Sequence, residues 1–215
     1  MQRRTFKWSV STGILAAASL SFTGLGTHAA AANKMTGCTG AMGPLQLAAA
    51  LAACGPNPAL GNHAMVIDRL TGTWDVEYTD YSGDGKVTHR TGELTFGWVM
   101  DGRVMQDLWV VNPSAADKDR EVYTDLFFFD PKTNAWLSAF VDPEHPSVAR
   151  FTGHTDGDNR LIFESGDFGT DKTRWSYNDL RADSFVYRAE VSSDGGKSWK
   201  LQSEYHMSRR REAGK

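Results

Sequence analysis

The sequence has no excess of positive charge and little continuous apolar sequence near its N-terminus. Its 215 residues carry 23 lysines and arginines against 26 acidic residues, a net charge of −3. A nucleic-acid-binding surface needs a basic field, so this balance argues against a nucleic-acid partner. The longest strictly apolar run of the N-terminal segment, Ile14–Ala18, is far shorter than the roughly 18 residues that a membrane-spanning helix needs. We therefore predict no membrane span.

Cysteine is scarce as well, because Cys38 and Cys54 are the only two in the chain. In an oxidising compartment two cysteines predict one intramolecular disulfide. The six histidines lack the spacing of a metal clamp and there is no second cysteine pair, so no metal site is predicted. The chain also has no Gly-x-Ser-x-Gly motif and no glycine-rich phosphate loop. No cofactor is predicted on these grounds.

The N-terminal segment has the three parts of a signal peptide. Arg3 and Arg4 precede a mostly apolar stretch over residues 8–25, and small residues dominate positions 27–32. This pattern predicts a signal peptide over residues 1–32, and the arginine pair resembles the twin-arginine export motif. An ordinary secretory signal that contains two arginines is the alternative. In both cases we expect a periplasmic or secreted protein.

Residues 33–69 predict a helical lead-in to the main domain. The Ala- and Leu-rich stretch Pro44–Ala53, followed by Gly55 and Pro56, indicates a short helix. The predicted Cys38–Cys54 disulfide would attach this helix to the chain that precedes it. A second short helix within Pro58–Leu70 would close one end of the following domain.

Aromatic residues and glycine are abundant: the chain has seven Trp, eleven Phe, six Tyr and 21 Gly. From residue 70 to residue 210, short alternating segments are separated by Gly, Asp, Asn and Pro, as in an all-β meander. A single sheet of this many strands would curl and close, which removes its exposed edges. We therefore predict an antiparallel up-and-down barrel over residues 70–210. Its predicted strands are residues 72–81, 86–90, 93–100, 103–111, 121–129, 135–141, 148–153, 160–165, 172–178 and 184–191, with 197–208 as a further one.

Four blocks of sequence carry a resemblance to a known family. They are Gly72-Thr73-Trp74, the block from Trp98 to Trp109, Phe129-Asp130-Pro131 followed by Trp136, and Asp183-Ser184-Phe185 followed by Ser192–Trp199. In this order they resemble the calycin barrels, and more closely the lipocalin-like DUF1579 group of bacterial exported proteins. The resemblance implies a barrel whose first strand begins at Gly-x-Trp, with the indole closing one end. Because calycins bind or convert unrelated small molecules, it implies no particular ligand.

The barrel interior is the predicted ligand site. Alternation along the strands places one set of aromatic side chains on inward faces. These predicted ligand-binding residues are Trp74, Tyr78, Trp109, Trp136 and Trp175. They favour an exported binding protein for a small apolar or aromatic molecule, and the sequence leaves the oligomeric state open.

Two alternatives use polar residues of the same barrel. Asp107 lies between Met105 and Trp109 on one strand face, where desolvation would raise the pKa of its carboxyl. With Arg188 or Arg174 as its partner and Tyr187 or Tyr205 as a hydrogen-bond donor, it could serve a cofactor-free lyase, isomerase or hydrolase. The lesser alternative is a haem-binding barrel with His206 as the iron ligand. Alternation places His206 on the outer face, which argues against it.

Overall fold

The computed structural model describes residues 51–114, 120–144, 146–168 and 171–211, without the side chains of residues 166–168. The predicted signal peptide, Cys38 and most of the predicted helix Pro44–Ala53 lie outside the described residues. The predicted disulfide therefore stays a prediction, with Cys54 on an exposed bend. Among the described residues, no helix is both long and apolar enough to cross a membrane.

Eleven β-strands and three short helical segments make up the described chain. A 3₁₀ helix covers Pro58–His63, α1 covers Ala64–Ile67, and a second 3₁₀ turn covers Asp68–Leu70. The strands are β1 (Ala52–Ala53), β2 (Gly72–Tyr81), β3 (Val87–Val99), β4 (Val104–Val111), β5 (Glu121–Asp130), β6 (Ala135–Asp142), β7 (Ser147–Thr155), β8 (Leu161–Phe168), β9 (Asp171–Asn178), β10 (Ser184–Ser192) and β11 (Lys200–Arg209).

Strands β2 to β11 form a closed antiparallel barrel. Each pairs with its neighbour in sequence, β11 pairs with β2, and β3 pairs with β4, so the ring has no open edge. This confirms the predicted all-β up-and-down barrel of about ten strands. One boundary was wrong: the segments predicted at 86–90 and 93–100 are a single strand, β3. Its residue Gly92 is paired on both sides, with Val76 of β2 and Val111 of β4, so the strand continues.

The chain before the barrel contacts its closed end. Ala52 and Ala53 do not continue the predicted helix but pair with Val99 and Trp98 of β3. They pair with the part of β3 beyond Phe96, which is free of β2 because β2 begins at Gly72, opposite Phe96. The helical segment that follows buries Ile67 and Leu70 in the core. The short helix predicted within residues 58–70 is thus present and covers one end of the barrel.

Trp74 stabilises this closed end of the barrel through its contacts with Leu70 and Arg209. Its indole Nε1 donates a hydrogen bond of 2.8 Å to the carbonyl of Leu70, and its side chain is fully buried. The guanidinium of Arg209 lies 3.9 Å from the indole ring centroid and donates to the carbonyls of Thr71 and Arg69. Strands β2 and β11 and the helical segment therefore meet at the Trp74 ring.

Candidate functional site

An internal cavity of about 270 Å³ lies in the half of the barrel remote from Trp74. Alternate residues of eight of the ten barrel strands face it, because side chains at period 2 point inward. Eight of its thirteen lining residues are aromatic. The lining consists of Tyr78, Arg90, Trp109, Val111, Tyr123, Asp125, Phe140, Asp142, Trp175, Tyr177, Tyr187, Ala189 and Tyr205.

The aromatic side chains hold one another in place around the cavity. Tyr187 stacks on Tyr205 with ring centroids 5.2 Å apart, and Tyr205 meets Tyr78 edge-on at 4.5 Å. On the opposite side Trp175 meets Phe140 edge-on at 5.2 Å. Such pairs fix ring orientation beyond what burial alone achieves. The cavity wall is therefore a rigid set of ring faces and edges.

Two hydroxyl groups of this wall have no partner among the described residues. They belong to Tyr78 and Tyr177, whose side chains are 2% and 1% exposed. Desolvation raises the pKa of both phenols well above the ordinary value, so both are neutral. A buried hydroxyl normally finds a hydrogen-bond partner, and an orphaned one loses free energy. Both residues line the cavity, and their hydroxyl oxygens are buried within its wall, that of Tyr78 close to Gly92 of β3.

A pair of buried carboxyls lies at the junction of β4 and β5. Asp107 Oδ1 accepts a hydrogen bond of 2.6 Å from the backbone N–H of Asp125, and its Oδ2 accepts one of 2.8 Å from Trp109 Nε1. The Asp125 carboxyl accepts a 2.6 Å bond from Ser138 Oγ on β6. Both aspartates are 2% exposed or less, and Asp125 lines the cavity.

The carboxyl pair replaces part of the normal strand pairing. The β4–β5 ladder pairs Gln106 with Leu126 and Trp109 with Tyr123, which places Asp107 opposite Asp125. There the Asp107 side chain accepts a hydrogen bond from the backbone N–H of Asp125, and Thr124 Oγ1 donates one of 2.6 Å to the Asp107 carbonyl. Side-chain bonds thus satisfy backbone groups where the ladder is interrupted.

Burial raises the pKa of both carboxyls. Desolvation raises the pKa of Asp125 to about 7, and the hydrogen bond from Ser138 opposes this only in part. Desolvation and the charge of Asp125 raise the pKa of Asp107 against the hydrogen bonds from the Asp125 N–H and Trp109. Two like charges this close in a low dielectric disfavour double ionisation. At neutral pH the pair therefore keeps at least one proton.

An ion-pair network surrounds Arg90, beside the cavity. Its guanidinium donates to Asp80 at 3.0 Å and to Glu121 at 2.8 Å. Tyr205 donates to Asp80 at 2.9 Å, and Tyr123 donates to Glu121 at 2.6 Å. We call these five residues the rim network. They are partly exposed, so they connect the buried aromatic wall to solvent.

The structure brings three of the five predicted ligand-binding residues to the cavity. Tyr78, Trp109 and Trp175 line it. Trp74 instead lies at the closed end, against Leu70 and Arg209. Trp136 lines a separate cavity of about 620 Å³ next to the helical segment. Both tryptophans face inward as predicted, but at a different height along the barrel.

The predicted partners of Asp107 are wrong. Arg188 pairs on the outer surface with Glu204 at 2.7 Å, and Arg174 pairs with Glu164 at 2.7 Å. Asp107 instead contacts Trp109 and Asp125. The candidate donors Tyr187 and Tyr205 both line the cavity.

The haem alternative required an inward-facing His206. The side chain is exposed on the outer face, with Nε2 3.1 Å from Glu204 Oε1. His206 therefore cannot present a ligand to the interior. Within the described ranges, no three His, Cys, Asp or Glu side chains are grouped as metal ligands.

Sequence reasoning missed Asp125 and, apart from Tyr205, the rim network. Asp125 could have been found from its alternation with Phe127, since both are buried residues of β5. The same argument selected Asp107 between Met105 and Trp109. Tyr177 shares a face with Trp175, and this alternation predicts it as a lining residue, although it was not among the five predicted ligand-binding residues. The rim network had no signal, because it joins residues from β2, β3, β5 and β11 that only barrel closure brings together.

Gly92 allows Tyr78 to lie against the barrel wall. A methyl group on Gly92 would meet the Tyr78 ring at 2.6 Å and the Val110 carbonyl at 2.6 Å. We expect Gly92→Ala to lower the free energy of unfolding by about 1–3 kcal/mol and to displace the Tyr78 ring. Denaturant unfolding checks the first effect and near-ultraviolet circular dichroism the second. Gly97→Ala, on the same strand with open space around it, is the matched control. Equal effects of the two variants would contradict this account of Gly92.

No family model matches the sequence, and no curated protein matches it. The comparison with solved structures gives matches at low identity. Rv2717c from M. tuberculosis is 13% identical with a TM-score of 0.50, over 73% of this chain and 99% of its own. The S-type phycobiliprotein lyase CPES from Guillardia theta is 11% identical with a TM-score of 0.45, over 67% and 90% respectively. The first likeness shows a shared barrel fold, and membership of the calycins and of the DUF1579 group remains a prediction.

Proposed function

We propose that the protein binds a small apolar or aromatic molecule in the barrel cavity. The observation that carries this proposal is a wall of eight aromatic side chains in which two buried hydroxyls lack partners among the described residues. Ligand pockets are mostly apolar with a few oriented polar groups, and this cavity has that composition. The Asp125 carboxyl, one of the few polar groups among the lining residues, would orient the bound molecule.

The cavity volume limits the size of this molecule. At about 270 Å³ it lies near the lower end of ligand pockets, which begin at roughly 300 Å³. A molecule with one or two rings suits such a space. We also propose, from the predicted signal peptide, that binding takes place outside the cytoplasm. Cell fractionation with the Arg3→Lys, Arg4→Lys double variant tests the export route.

Native mass spectrometry of protein purified from its own extracytoplasmic fraction tests the binding proposal. We expect a population heavier than the polypeptide by the mass of a small organic molecule. Denaturation should release that molecule for identification. Bare polypeptide after gentle purification, together with no binding in titrations of small aromatic compounds, would contradict the proposal.

Filling the cavity provides an independent test. Ala189 lines the cavity, and an indole in place of its methyl group would occupy much of the space. We expect Ala189→Trp to abolish the extra mass and to weaken binding at least about tenfold, because the indole occupies the space in which the ligand would contact the aromatic wall. Ala182→Trp, the same substitution in an exposed loop, is the control. Unchanged binding by Ala189→Trp would place the ligand elsewhere.

Acid–base catalysis is the second candidate function, and the buried carboxyl pair favours it. A carboxyl whose pKa lies near 7 can both donate and accept a proton at neutral pH. Asp125 would then exchange a proton with the bound molecule, and a neutral tyrosine would hydrogen-bond its oxygen. The test is to incubate the released ligand with wild type and with Asp125→Asn and to follow its mass and isomeric composition. A ligand that wild type leaves unchanged is bound rather than converted.

A further inference from the structure

We propose that the ligand of this cavity is an organic cation, a small protonated amine with an apolar body. This inference rests on the proposed function and specifies the chemical class of its ligand. It stands on the charges and ring faces that surround the cavity.

The charged groups near the cavity are mostly acidic. Asp125 and Asp142 line it, and Asp107 lies directly behind Asp125. Among the described lining residues Arg90 is the one cation, and two carboxylates, Asp80 and Glu121, already engage it. An anionic ligand would therefore meet negative charge without a cation available to pair with it. A cationic ligand would meet attraction, which a low dielectric strengthens.

The aromatic wall suits a cation as well. Ring faces carry negative charge density, and a cation within about 6 Å of several ring centroids is attracted to them. Tyr78, Tyr205, Tyr187 and Trp109 form one continuous group of rings, with centroid separations of 4.5 to 6.3 Å. Trp175 extends this group, with its ring centroid 6.4 Å from that of Tyr187, and the rings together would line the apolar body of the ligand.

The Asp125 carboxyl completes the site, because Asp125 lines the cavity and a carboxylate accepts from an ammonium N–H. Such charge-assisted hydrogen bonds are stronger than those between neutral groups. The cavity thus offers ring faces and a carboxyl to one positively charged group.

Binding of a cation should release a proton from the carboxyl pair. The groups that face Asp125 are Asp107 on β4, Ser138 on β6 and the phenols of Tyr177 and Tyr187, with Arg90 and Asp142 also lining the cavity. None of these is an unpaired cation. An ammonium group therefore stabilises the ionised carboxyl, and the proton that it displaces passes to the buffer. Proton release makes the affinity dependent on pH.

Calorimetric titration of the full chain with three probes of equal size tests the proposal. The probes are 2-phenylethylammonium, 2-phenylethanol and phenylacetate. At about pH 8 we expect the cation to bind about tenfold more tightly than the alcohol, and phenylacetate more weakly than both. The cation should bind about tenfold more weakly at about pH 6 than at about pH 8, while the alcohol changes little. Titrations in buffers of different ionisation enthalpy count the released proton.

Two variants distinguish the effect of the Asp125 charge on binding from the effect of the cavity itself: Asp125→Asn, and Asp158→Asn as its control. Asp125→Asn should lose the preference for the cation and its pH dependence but should still bind the alcohol. Asp158, exposed in the β7–β8 turn, should behave as wild type when changed to Asn. Binding of the alcohol or phenylacetate as tightly as the cation would overturn the cation proposal and leave the binding proposal intact. Failure of all three probes to bind would count against both.

Discussion

Changing Asp125 to asparagine should make the folded protein more stable at neutral and alkaline pH. The carboxyl is buried, and desolvation raises its pKa from 3.8 to about 7 in the folded chain. An amide has nearly the same shape, keeps an oxygen for the hydrogen bond from Ser138 and carries no charge. The variant therefore avoids the free-energy cost of ionising a buried acid.

The sign of the pH effect follows from the raised pKa. Between about pH 4 and pH 7 the folded chain holds a proton on Asp125 that the unfolded chain has lost, so wild-type stability falls as pH rises. Below this range the contribution is fully present, and above pH 7 it is absent. A shift from 3.8 to about 7 corresponds to at most about 4 kcal/mol. We expect Asp125→Asn to recover much of this amount at about pH 8 and to flatten the profile.

Asp107→Asn provides a sharp contrast. Each oxygen of Asp107 accepts from an N–H, one from Asp125 and one from Trp109. An amide would point its own NH₂ at one of these donors, and the buried donor left without an acceptor costs about 1–3 kcal/mol. At alkaline pH this variant should therefore be less stable than wild type by about 1–3 kcal/mol, and less stable than Asp125→Asn by more than that amount.

Urea unfolding of the variants from about pH 4 to pH 9 measures these differences. Asp158→Asn, exposed on a turn, should keep the wild-type profile. If Asp125→Asn were no more stable than wild type at about pH 8, the carboxyl would be ionised there without penalty. If the two buried variants were equally stable, the hydrogen bonds to Asp107 would contribute nothing measurable.

Trp74→Ala should lower the free energy of unfolding by about 3–5 kcal/mol. The indole is fully buried, donates to the Leu70 carbonyl and supports the guanidinium of Arg209. Its loss leaves a cavity at the closed end and detaches the helical segment from the barrel. Denaturant unfolding monitored by far-ultraviolet circular dichroism provides the measurement. Trp199→Ala, in the turn before β11, should have a much smaller effect because Trp199 is only partly buried.

Trp74→Phe keeps the fold testable if the alanine variant does not fold. It retains an aromatic ring but removes the N–H that bonds to Leu70. Because Trp74 does not line the 270 Å³ cavity, we expect ligand affinity to stay within about twofold of wild type. Trp109→Phe should weaken binding more, since Trp109 lines the cavity and donates to Asp107. Equal losses for the two variants would show that the ligand reaches the closed end.

Local patterns predicted the barrel because each strand is a local feature. The alternation of Trp74, Val76 and Tyr78 with polar residues gave β2 its observed limits, and the turns carried Gly, Asp and Asn as expected. The prediction wrongly ended a strand before Gly92, because glycine is common in the turns that separate strands. In the barrel Gly92 lies in a continuous strand beneath the Tyr78 ring.

The site was only partly predictable, for two physical reasons. Alternation tells which face a side chain occupies but not its height along the barrel, so alternation alone could not separate Trp74 from Tyr78. The family resemblance did place the Trp74 indole at one end, where the structure has it. Consecutive residues of a strand point to opposite faces, so Tyr187 and Arg188 cannot both face the interior. That rule, applied strictly, excludes Arg188 as a partner of Asp107. The partner was instead Asp125, which the pairing register of β4 and β5 sets opposite Asp107.

Closing the ring requires one pairing between strands that lie far apart in the sequence. Nine of its ten strand interfaces join segments that are neighbours in sequence, so short turns bring them together. The tenth joins β11 to β2, where Arg209 is paired with Trp74 and Arg210 reaches Asp75 and Glu93. Closing a loop of that length carries the largest conformational penalty in the molecule. The pairing of β11 with β2 therefore closes the barrel, and the binding cavity exists only once this pairing has formed.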